Sequence, residues 1–422
     1  MDSGGGAGGG LFLGAGGAAV LAADRAGRVV CAEGRRPAAA RYRDPGGAGE
    51  IFSADGVLLA TSATCWTIRA SPREIADDKV AAAAQGLAQL LEVDENGLLQ
   101  KFSDRTSNDC LVKRRVDRTA ADQVRAFCTE NGIGGILIQQ DTKRYYPQGD
   151  FLASVLGFTN VDNAGVSGLE LEYDAQLTGQ NGRILTASNA WGYTMEQEYA
   201  TREEPVPGDT LTLTVNAQIQ RFLENALGYA VREHHVAARA VGIVMDVRTG
   251  AILAMATTPA YDPNQPRVIY DEAVRAQVEA LDGSARDAAR QLAQQTQWRN
   301  KAVSDLYEPG SVFKLITCSA ALDAGAVTTD STFYCGESIN VAGTRFHCAN
   351  HRRHGRQTLT QALMNSCNQS FIQVGARLGK EQFCAYFEAF GLRGATGIDL
   401  PAEPKKSEYY TADRMGPAID FG

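Results

Sequence analysis

The 422-residue sequence lacks several signatures of specialised protein classes. It has no excess of basic residues: 41 Lys and Arg against 49 Asp and Glu give a net charge of −8, which argues against a nucleic-acid partner. It has no Cys-x-x-Cys pair, and its nine cysteines are odd in number and loosely spaced, so they predict no disulfide framework. With 44% hydrophobic residues, the chain can build a large core without disulfides, metal or a cofactor.

A convincing membrane span is also missing from the start of the chain. Residues 4–23 carry no charge, but they are mostly Gly and Ala, whereas a spanning helix needs about 20 predominantly apolar residues. No Lys or Arg precedes this run, as a signal peptide or an inward-anchored helix would favour. We therefore expect residues 1–48 to be a flexible, low-complexity start, with a weak membrane anchor as the alternative.

Thiol and imidazole side chains crowd one stretch of the second half of the chain: Cys335, His347, Cys348, His351 and His354. Such side chains could bind zinc, but their order matches no standard ligand spacing, so we predict no metal site. Cys335 and Cys348 could instead form a disulfide across a surface loop if the protein lies outside the cell. The sequence is equally compatible with two free thiols.

Hydrophobic patterning predicts mixed α and β structure in two ordered domains, 49–205 and 206–422. A linker between them is indicated by two prolines and a glycine within residues 203–208. In the first domain we predict a strand, an Asp-Gly turn and a strand over 50–60, helices over 79–91 and 119–130, and a strand over 136–138.

In the second domain the patterns predict a half-buried strand over 210–215 and a helix from 217 to about 233, capped by Asn216. Residues 241–247 and 251–256 predict a hairpin of two well-buried strands. The further predictions are a polar, mostly helical surface segment over 271–297 and helices over 311–324, 358–364 and 369–378.

The segment that carries chemistry is Glu308-Pro309-Gly310-Ser311-Val312-Phe313-Lys314. Pro309 and Gly310 interrupt the preceding segment, so a helix is expected to begin at Ser311. Residues three apart lie on one helix face, which lets Ser311 and Lys314 touch. This spacing suits a nucleophilic Ser311 with Lys314 as its general base.

A lysine base needs an unusual environment. With a pKa of about 10.4, only about one lysine in 2,500 is neutral at pH 7, so burial or nearby positive charge must lower the pKa. The positive end of the helix dipole would help, and it would also offer the Ser311 backbone N–H to a developing oxyanion. The pattern S-x-x-K occurs by chance about once or twice in a chain of this length, so it needs support.

Support comes from Ser366-Cys367-Asn368, in the turn between two predicted helices. Ser366 is expected to relay a proton between Ser311 or Lys314 and the leaving amine, and Asn368 to hold a substrate backbone amide. Alone, S-x-N is a weak pattern that a helix-capping turn explains equally well. Its weight comes from its position after the S-x-x-K motif.

In these motifs and their order the sequence resembles the class B penicillin-binding proteins, closest to the clostridial cell-division and sporulation type. That family shares S-x-x-K, S-x-N and K-[ST]-G motifs with serine β-lactamases. The following stretches carry the rest of the resemblance: 144–147, 155–158 and 165–170 to the pedestal domain, 246–255 and 298–302 to the approach to the serine, and 396–401 to the region beyond the second motif.

The resemblance implies an α+β protein with a pedestal (dimerisation-type) domain followed by a serine β-lactamase/transpeptidase-like domain. Ser311 would attack the penultimate D-alanine carbonyl of a peptidoglycan stem peptide, with Lys314 as base, Ser366 as proton relay and Asn368 on the peptide amide. The acyl group would then pass to an amine on a neighbouring strand, and β-lactams would acylate Ser311. The implied location is the outer face of the bacterial cytoplasmic membrane, with a cell-wall glycosyltransferase as a possible partner.

The sequence departs from the family in its third motif. It contains no K-[ST]-G: Lys406-Ser407-Glu408 lacks the glycine, and the chain stops at Asp420-Phe421-Gly422, before the strand expected to carry it. In the family that strand supplies the second oxyanion N–H, and losing one such donor costs roughly 2.7–4 kcal/mol. We therefore expect an incomplete transpeptidase domain and an inactive or impaired chain, the product of a truncated reading frame or a fragment.

The start of the pedestal domain departs from the family as well. Ser53-Ala54-Asp55-Gly56 stands where the family has Asp-Arg-Asn-Gly, while residues 24–27 resemble that motif but lie too far upstream.

Two other functions compete with a transpeptidase. A non-catalytic pedestal or scaffold protein of a division or elongation complex is favoured by the missing third motif and disfavoured by the intact S-x-x-K. A β-lactamase or β-lactam sensor would share the catalytic fold but normally lacks so long a pedestal.

Overall fold

The computed structural model describes residues 46–180, 182–185, 201–237 and 239–404, together with short strands at 22–23, 29–30 and 41–44. The predictions for the flexible start, residues 24–27, the segment Lys406-Ser407-Glu408 and the end of the chain fall wholly or largely outside the described residues. Within the described part, no helix is both long enough and apolar enough to traverse a lipid bilayer.

Strands occur throughout the described chain. In order they are β1 (Ala22–Ala23), β2 (Val29–Val30), β3 (Arg41–Asp44), β4 (Ile51–Phe52), β5 (Leu58–Ala70), β6 (Cys110–Val116), β7 (Ile136–Tyr145), β8 (Phe158–Thr159), β9 (Gly165–Ser167), β10 (Gly182–Leu185), β11 (Thr201–Glu203), β12 (Leu211–Thr212), β13 (Ala240–Met245), β14 (Ile252–Thr258), β15 (Thr332–Cys335), β16 (Ile339–Val341), β17 (Thr344–Phe346) and β18 (Gly355–Thr358).

Helices occur between these strands, singly or in runs, and the strand pairs are mostly antiparallel, so the fold is α+β as predicted. In order they are α1 (Val80–Leu91), α2 (Glu95–Ser103), α3 (Arg118–Glu130), α4 (Ala153–Leu156), α5 (Gly168–Glu172), α6 (Asp174–Leu177), α7 (Ala217–Glu233), α8 (Glu272–Glu279), α9 (Gly283–Trp298), α10 (Lys301–Ser304), α11 (Lys314–Asp323), α12 (Leu359–Met364), α13 (Asn368–Leu378) and α14 (Lys380–Ala389). Short 3-10 turns span Pro72–Glu74, Asp77–Lys79, Gly310–Phe313 and Ala349–His351.

The chain divides into two compact units, residues 1–43 with 182–204 and residues 44–181 with 205–422. In the first unit, β1 and β2 form an antiparallel pair, and a three-stranded sheet has the order β11-β10-β3. The second unit holds the remaining elements and the chemistry-bearing segments. The predicted domain limits at 48/49 and 205/206 stay a prediction.

The first half of the second unit is built on β5, which pairs antiparallel with β4, β6 and β7. The predicted helices are confirmed as α1 and α3. All three predicted strands exist: β4 has only two residues, whereas β5 and β7 are longer than predicted. Their extensions, within Thr61–Thr67 of β5 and Gln139–Tyr145 of β7, pair with each other. These segments carry Thr, Ser and charged side chains, so their hydrophobic pattern is weak, and the inter-strand hydrogen bonds decide the structure. Both α2 and β6 were missed.

One glycine in each of the family-like stretches 155–158 and 165–170 allows the two stretches to pack against each other. Gly157 has φ +74° and Gly168 has φ +60°. A Cβ on Gly157 would lie 1.8 Å from the Ser167 carbonyl oxygen, and one on Gly168 would lie 2.4 Å from the Val155 oxygen. Only glycine combines this backbone conformation with so close an approach, and the two stretches therefore pack together as β8, β9 and the start of α5.

The same region contains a buried ion pair. Arg144 Nε donates to Glu170 Oε1 at 2.7 Å, with side chains 1% and 2% exposed, and the Arg144 guanidinium also donates to the Gly49 carbonyl at 2.6 Å. Burial raises the pKa of Glu170, and the attraction to Arg144 opposes that rise. Since removing one partner of a buried pair strands a charge, this contact ties the start of the described pedestal region to α5.

The second half opens with a shorter strand than predicted. The alternating segment 210–215 forms only the two-residue β12, which lies parallel to β4. Next, α7 begins at Ala217 behind Asn216, as predicted. The predicted hairpin is confirmed as the antiparallel pair β13–β14.

One feature of that hairpin was predicted wrongly. Only β14 is well buried, because α7 covers one face of β13 while Val241, Ile243 and Met245 on the other face are 36–50% exposed. On the covered face, a Cβ on Gly242 would lie 2.7 Å from the Leu223 side chain, so the helix packs directly on the strand backbone. The polar segment 271–297 forms α8 and most of α9, and only Val278 and Gln297 of these helices are buried.

Candidate active site

Ser311 lies in the 3-10 turn Gly310–Phe313, and the α-helix α11 begins only at Lys314. This corrects the prediction of an α-helix that begins at Ser311. Gly310 has φ +59°, which ends the preceding segment, and the first turn of the helical run then closes with the tighter hydrogen-bond pattern. Ser311 is exposed and Lys314 is 3% exposed, with Lys314 Nζ 3.2 Å from Ser311 Oγ.

Four oxygen atoms surround the Lys314 amine. Besides Ser311 Oγ they are the Ser366 carbonyl at 2.9 Å, Ser366 Oγ at 3.1 Å and Asn368 Oδ1 at 2.6 Å. The carbonyl and the amide oxygen can only accept, whereas a hydroxyl can donate or accept. A neutral amine would use its two N–H groups on the two obligate acceptors and keep its lone pair for a serine hydroxyl. The arrangement therefore fits a lysine that takes a proton from Ser311.

Burial lowers the pKa of Lys314 below its ordinary value of 10.5 because it disfavours the ammonium form. The titratable groups that face the amine are the Cys348 and Cys367 thiols, whose negative charge would act in the opposite direction. The face of the Phe371 ring lies 5.8 Å away. At a given pH, the lowered pKa makes a larger fraction of Lys314 neutral than of a solvent-exposed lysine.

Ser366 lies in the turn between α12 and α13, where the sequence predicted it, and Asn368, predicted in the same turn, lies at its end. Ser366 is exposed and has φ +48°, the left-handed conformation that costs a non-glycine residue about 1–2 kcal/mol. In this conformation both its hydroxyl and its carbonyl oxygen lie within hydrogen-bond distance of Lys314. Asn368 is the first residue of α13. The structure thus brings all four predicted site residues together around one amine.

Both polar atoms of the Asn368 side chain form hydrogen bonds. Its Oδ1 accepts from Lys314, and its Nδ2 donates to the His347 carbonyl oxygen at 3.0 Å. Because the NH₂ group has two protons, one remains for the substrate amide that the sequence assigns to Asn368. The sequence did not predict the contact with the 336–354 loop, and the catalytic and binding roles of all four residues stay predictions.

A cluster of sulfur atoms lies directly beside this turn. Cys367, between Ser366 and Asn368, has its Sγ 3.6 Å from Cys348 Sγ, which is 3.5 Å from Cys335 Sγ. His354 Nδ1 lies 3.4 Å from Cys335 Sγ. The sulfur atoms of Cys335 and Cys348 are buried and not bonded to each other, so the structure shows free thiols at this pair.

The thiol and imidazole side chains of residues 335–354 fall into two groups, which the sequence did not indicate. His347 and His351 pack against each other with ring centroids 4.7 Å apart, outside the cluster. Cys367 joins the cluster from another segment and was not among the residues considered. Burial acts to raise the Cys367 pKa, but hydrogen bonds from the Ser370 hydroxyl and N–H and from the other thiols outweigh it and lower the pKa to about 7.

Comparison with protein families gives two matches. The penicillin-binding protein dimerisation domain matches residues 44–213, and the penicillin-binding protein transpeptidase domain matches residues 240–413. Both S-x-x-K and S-x-N fall within the second match. The order of the two domains is the one that the resemblance implied.

The curated proteins that are similar to this chain include a sporulation protein and a probable peptidoglycan transpeptidase. The chain is 31% identical over 372 residues to stage V sporulation protein D of Bacillus subtilis, covering 87% of this chain and 53% of that protein. It is 33% identical over 363 residues to the probable peptidoglycan D,D-transpeptidase PenA of Neisseria meningitidis, covering 85% of this chain and 56% of that protein. The chain thus spans about half the length of these curated relatives.

A solved structure shares the fold. The penicillin-binding protein PBP2 of Helicobacter pylori, solved in complex with MreC, matches with a TM-score of 0.69 at 18% identity. The match covers 92% of this chain and 72% of that chain. At this identity the likeness supports the fold alone, and it extends over most of the molecule.

Proposed function

Because the chain belongs to the class B penicillin-binding proteins, we propose that Ser311 is the acylated serine of a peptidoglycan D,D-transpeptidase. The observation that carries the proposal is the Lys314 amine, which is buried and lies 3.2 Å from Ser311 Oγ and 3.1 Å from Ser366 Oγ. The substrate is a stem peptide that ends in D-Ala-D-Ala, and a β-lactam is its mimic.

In the first step, neutral Lys314 takes the Ser311 hydroxyl proton while Oγ attacks the penultimate D-alanine carbonyl. The tetrahedral oxyanion collapses, the peptide C–N bond breaks, and terminal D-alanine leaves as an amine. That amine takes up the proton through Ser366, whose Oγ contacts Lys314 and so connects the base to the leaving group. An ester between Ser311 and the stem peptide remains.

In the second step, the amine of a neighbouring stem peptide attacks this ester. The base accepts the proton of the incoming amine, a new amide forms, and the proton returns to Ser311 Oγ as the ester bond breaks. Asn368 binds the backbone of the donor peptide through its second amide N–H. The Lys314 that served as base in acylation serves again in transfer, so one amine with two serine contacts is sufficient for both steps.

We place this activity at the outer face of the bacterial cytoplasmic membrane, where stem peptides are cross-linked. A cell-wall glycosyltransferase of a division or elongation complex is the proposed partner, because cross-linking acts on newly made glycan strands. The PBP2 structure of similar fold contains MreC, a different partner, and at that identity it does not transfer to this chain.

The test is covalent labelling with a fluorescent penicillin, followed by intact mass measurement and peptide mapping. We expect one adduct per chain on Ser311, absent in Ser311→Ala and retained in Ser319→Ala. Ser319 is the matched control because it is an exposed serine in the same helical run, and its hydroxyl donates to the Leu315 carbonyl. The rate of labelling also measures whether this chain is impaired.

Three results would contradict the proposal or narrow it. An adduct that persists in Ser311→Ala would place the nucleophile elsewhere. No adduct after prolonged incubation would contradict acylation of this chain and would fit either the non-catalytic scaffold or the inactive chain expected from the absence of a K-[ST]-G motif. Rapid release of the label would identify a β-lactamase rather than a transpeptidase.

A further inference from the structure

A cavity of about 360 Å³ lies between the pedestal and transpeptidase regions of the second unit. One wall is α7, and the others come from residues 148–154, before the predicted boundary near residue 205, and residues 255–260, after it. Small-molecule sites favour such junctions, and their usual volume is about 300–1,000 Å³. None of the four predicted site residues lines this cavity, so it is separate from the candidate active site.

The wall formed by α7 carries charges of both signs on one helix face. Glu224, Gly228 and Arg232 follow one another at intervals of four residues, which places them on one side of the helix. A Cβ on Gly228 would lie 3.5 Å from Arg232 Nη1, so the guanidinium folds back along α7 over the space that the glycine leaves open. All three residues line the cavity.

The Glu224 carboxylate is held in place by one of its two oxygens. Its Oε1 accepts from the Leu152 N–H at 2.9 Å and from Gln220 Nε2 at 2.8 Å, and no described residue donates to its Oε2. Burial raises the pKa of Glu224, the two hydrogen bonds oppose this rise, and the negative charge of Asp150 adds to it. A cation beside the second oxygen is therefore favoured.

The two opposite charges on α7 stand too far apart to pair with each other. Within the described part of the chain, neither Glu224 nor Arg232 forms an ion pair. Because the carboxylate contacts Gln220, it lies within the turn 220–224. The Arg232 guanidinium lies beside Gly228, so the rise of about 1.5 Å per residue separates the charges by roughly 6–12 Å along the axis. An ammonium and a carboxylate on one carbon fit between them, with a charge-assisted hydrogen bond of about 2.7–2.9 Å at each end.

The remaining walls supply a hydroxyl and small apolar surfaces. Thr257 lines the cavity and is 3% exposed, and its Oγ1 has no hydrogen-bond partner. A buried hydroxyl without a partner is unfavourable for the protein alone, and a polar ligand would provide the partner. Val231 and Ala256 also line the cavity, and they suit a short aliphatic group better than a charged one.

We propose that this cavity binds an α-amino acid in its zwitterionic form. The ligand ammonium lies on Glu224 and its carboxylate on Arg232. Its short aliphatic side chain packs against Val231 and Ala256. Because both regions of the unit contribute walls, the bound ligand links them, and it should raise the melting temperature as its concentration increases.

The primary experiment is isothermal titration calorimetry of the full chain with D-alanine, the leaving group of the proposed transpeptidation. Only this choice of probe rests on the proposed function. We expect one saturable site per chain. N-acetyl-D-alanine, which lacks the ammonium, and D-alaninamide, which lacks the carboxylate, should each bind at least about tenfold more weakly. L-Alanine identifies the source of the ligand, since a preference for the D form indicates a product of cell-wall chemistry and its absence indicates the general amino-acid pool.

Variants of α7 test the position of the ligand. Glu224→Gln and Arg232→Gln should each weaken alanine binding at least about tenfold, because each removes one charge. The matched controls are Glu233→Gln and Arg290→Gln, at exposed positions outside the cavity, and they should bind like the wild type. Gly228→Leu keeps both charges but fills the cavity, so it should abolish binding. Its fold should be retained, because a Cβ there makes only ordinary contacts and leucine favours the helix more than glycine does.

Three outcomes would overturn the proposal: no saturable binding of alanine, equal binding of the two blocked derivatives, or unchanged affinity in Glu224→Gln, Arg232→Gln and Gly228→Leu. Circular dichroism confirms that each variant is folded. Ser311→Ala should bind alanine normally, and loss of binding in this variant would place the ligand in the candidate active site instead. Acylation is measured separately with penicillin, so the amino-acid site and the proposed function fail independently.

Discussion

At the scale of single residues, Lys314 decides what the site can do. The S-x-x-K pattern can occur by chance, and the surroundings of the amine are what favour the proposed role of Lys314 as a base. Burial lowers its pKa, and the two obligate acceptors, Asn368 Oδ1 and the Ser366 carbonyl, leave the lone pair of the neutral amine to a serine hydroxyl. The helix dipole invoked from the sequence is a smaller part of this account, because Ser311 lies in a 3-10 turn rather than at the start of the α-helix.

The pH dependence of acylation follows from this residue. Below the pKa of Lys314 the amine is protonated and cannot accept the Ser311 proton, so the penicillin acylation rate should rise with pH. Because burial lowers the pKa from 10.5, the midpoint should lie below that value. Stopped-flow or gel-based labelling across pH measures it.

The matched substitution is Lys314→Arg, which keeps a charge but cannot release its proton and should reduce acylation by about 10²–10⁴-fold. Lys380→Arg, at the start of α14, serves as control and should leave the rate unchanged. A flat pH profile, or a midpoint at or above 10.5, would remove Lys314 as the base.

At the scale of elements, α7 shows how one helix start joins two parts of the chain. Asn216 Oδ1 accepts from the Gln218 and Ile219 N–H groups, and Asp55 Oδ1 accepts from the Ala217 N–H at 2.9 Å. Asp55 belongs to the Ser53–Gly56 segment that departs from the family pattern. The hydrogen bond from Ala217 is the largest cause that lowers the Asp55 pKa, followed by that from Ser53. The stabilisation that the Asp55 carboxylate contributes is therefore fully present above the ordinary pKa of 3.8. It is lost as the pH falls through the lower pKa that Asp55 has in the folded protein.

Removing the cap should destabilise the protein measurably. We expect Asn216→Ala to lower the free energy of unfolding by about 1 kcal/mol, because two N–H groups of the first turn lose their acceptor. Urea denaturation followed by circular dichroism measures this loss. Asn216→Asp should keep most of the stability, and Asn225→Ala, at an exposed position within α7, should be neutral or slightly stabilising. Equal losses in Asn216→Ala and Asn225→Ala would contradict the capping account.

At the scale of the whole molecule, one of three hydrophobic clusters extends across the predicted boundary near residue 205, while the other two lie entirely before it or entirely after it. Within the unit 44–181 with 205–422, one hydrophobic cluster includes Leu59 and Phe151 from before the boundary and Met255 and Tyr261 from after it. Asn264 accepts from the Tyr146 N–H at 3.0 Å and donates to the Tyr146 carbonyl at 2.9 Å. These contacts couple the pedestal and transpeptidase regions of that unit.

We therefore predict one cooperative unfolding transition for this unit rather than separate melting of the two regions. Calorimetry and circular dichroism should give coincident midpoints. Asn264→Ala should lower the free energy of unfolding by about 1–3 kcal/mol, because it leaves the Tyr146 N–H without its acceptor and removes one of the two hydrogen bonds to the Tyr146 carbonyl, which still accepts from the Gly149 N–H. The control is Gln277→Ala, at an exposed position on α8, which should shift nothing. Two resolved transitions in the wild-type chain would show that the regions unfold independently.

Local patterns determined much of this protein. Hydrophobic spacing and a capping Asn216 predicted α7, and the periodicity of residues 358–378 predicted α12 and α13 with Ser366 and Asn368 in the turn between them. The order of S-x-x-K and S-x-N indicated the family only together with the pedestal-like stretches 144–147, 155–158 and 165–170, because the two motifs are shared with serine β-lactamases. These features depend on side chains within one or two helical turns, and such interactions can be recognised from adjacent residues.

Contacts between distant segments were decided only by tertiary structure. The length of β5 and β7 depends on hydrogen bonds to each other, and β13 is exposed because α7 covers just one of its faces. The Cys335–Cys348–His354–Cys367 cluster has no recognisable ligand spacing, because its donors come from four segments that fold onto one point. The sequence by itself predicted which residues carry the chemistry. Only the three-dimensional packing decided that Lys314 is desolvated and that a cluster of metal-binding atoms lies beside it, since burial and convergence are properties of the folded chain.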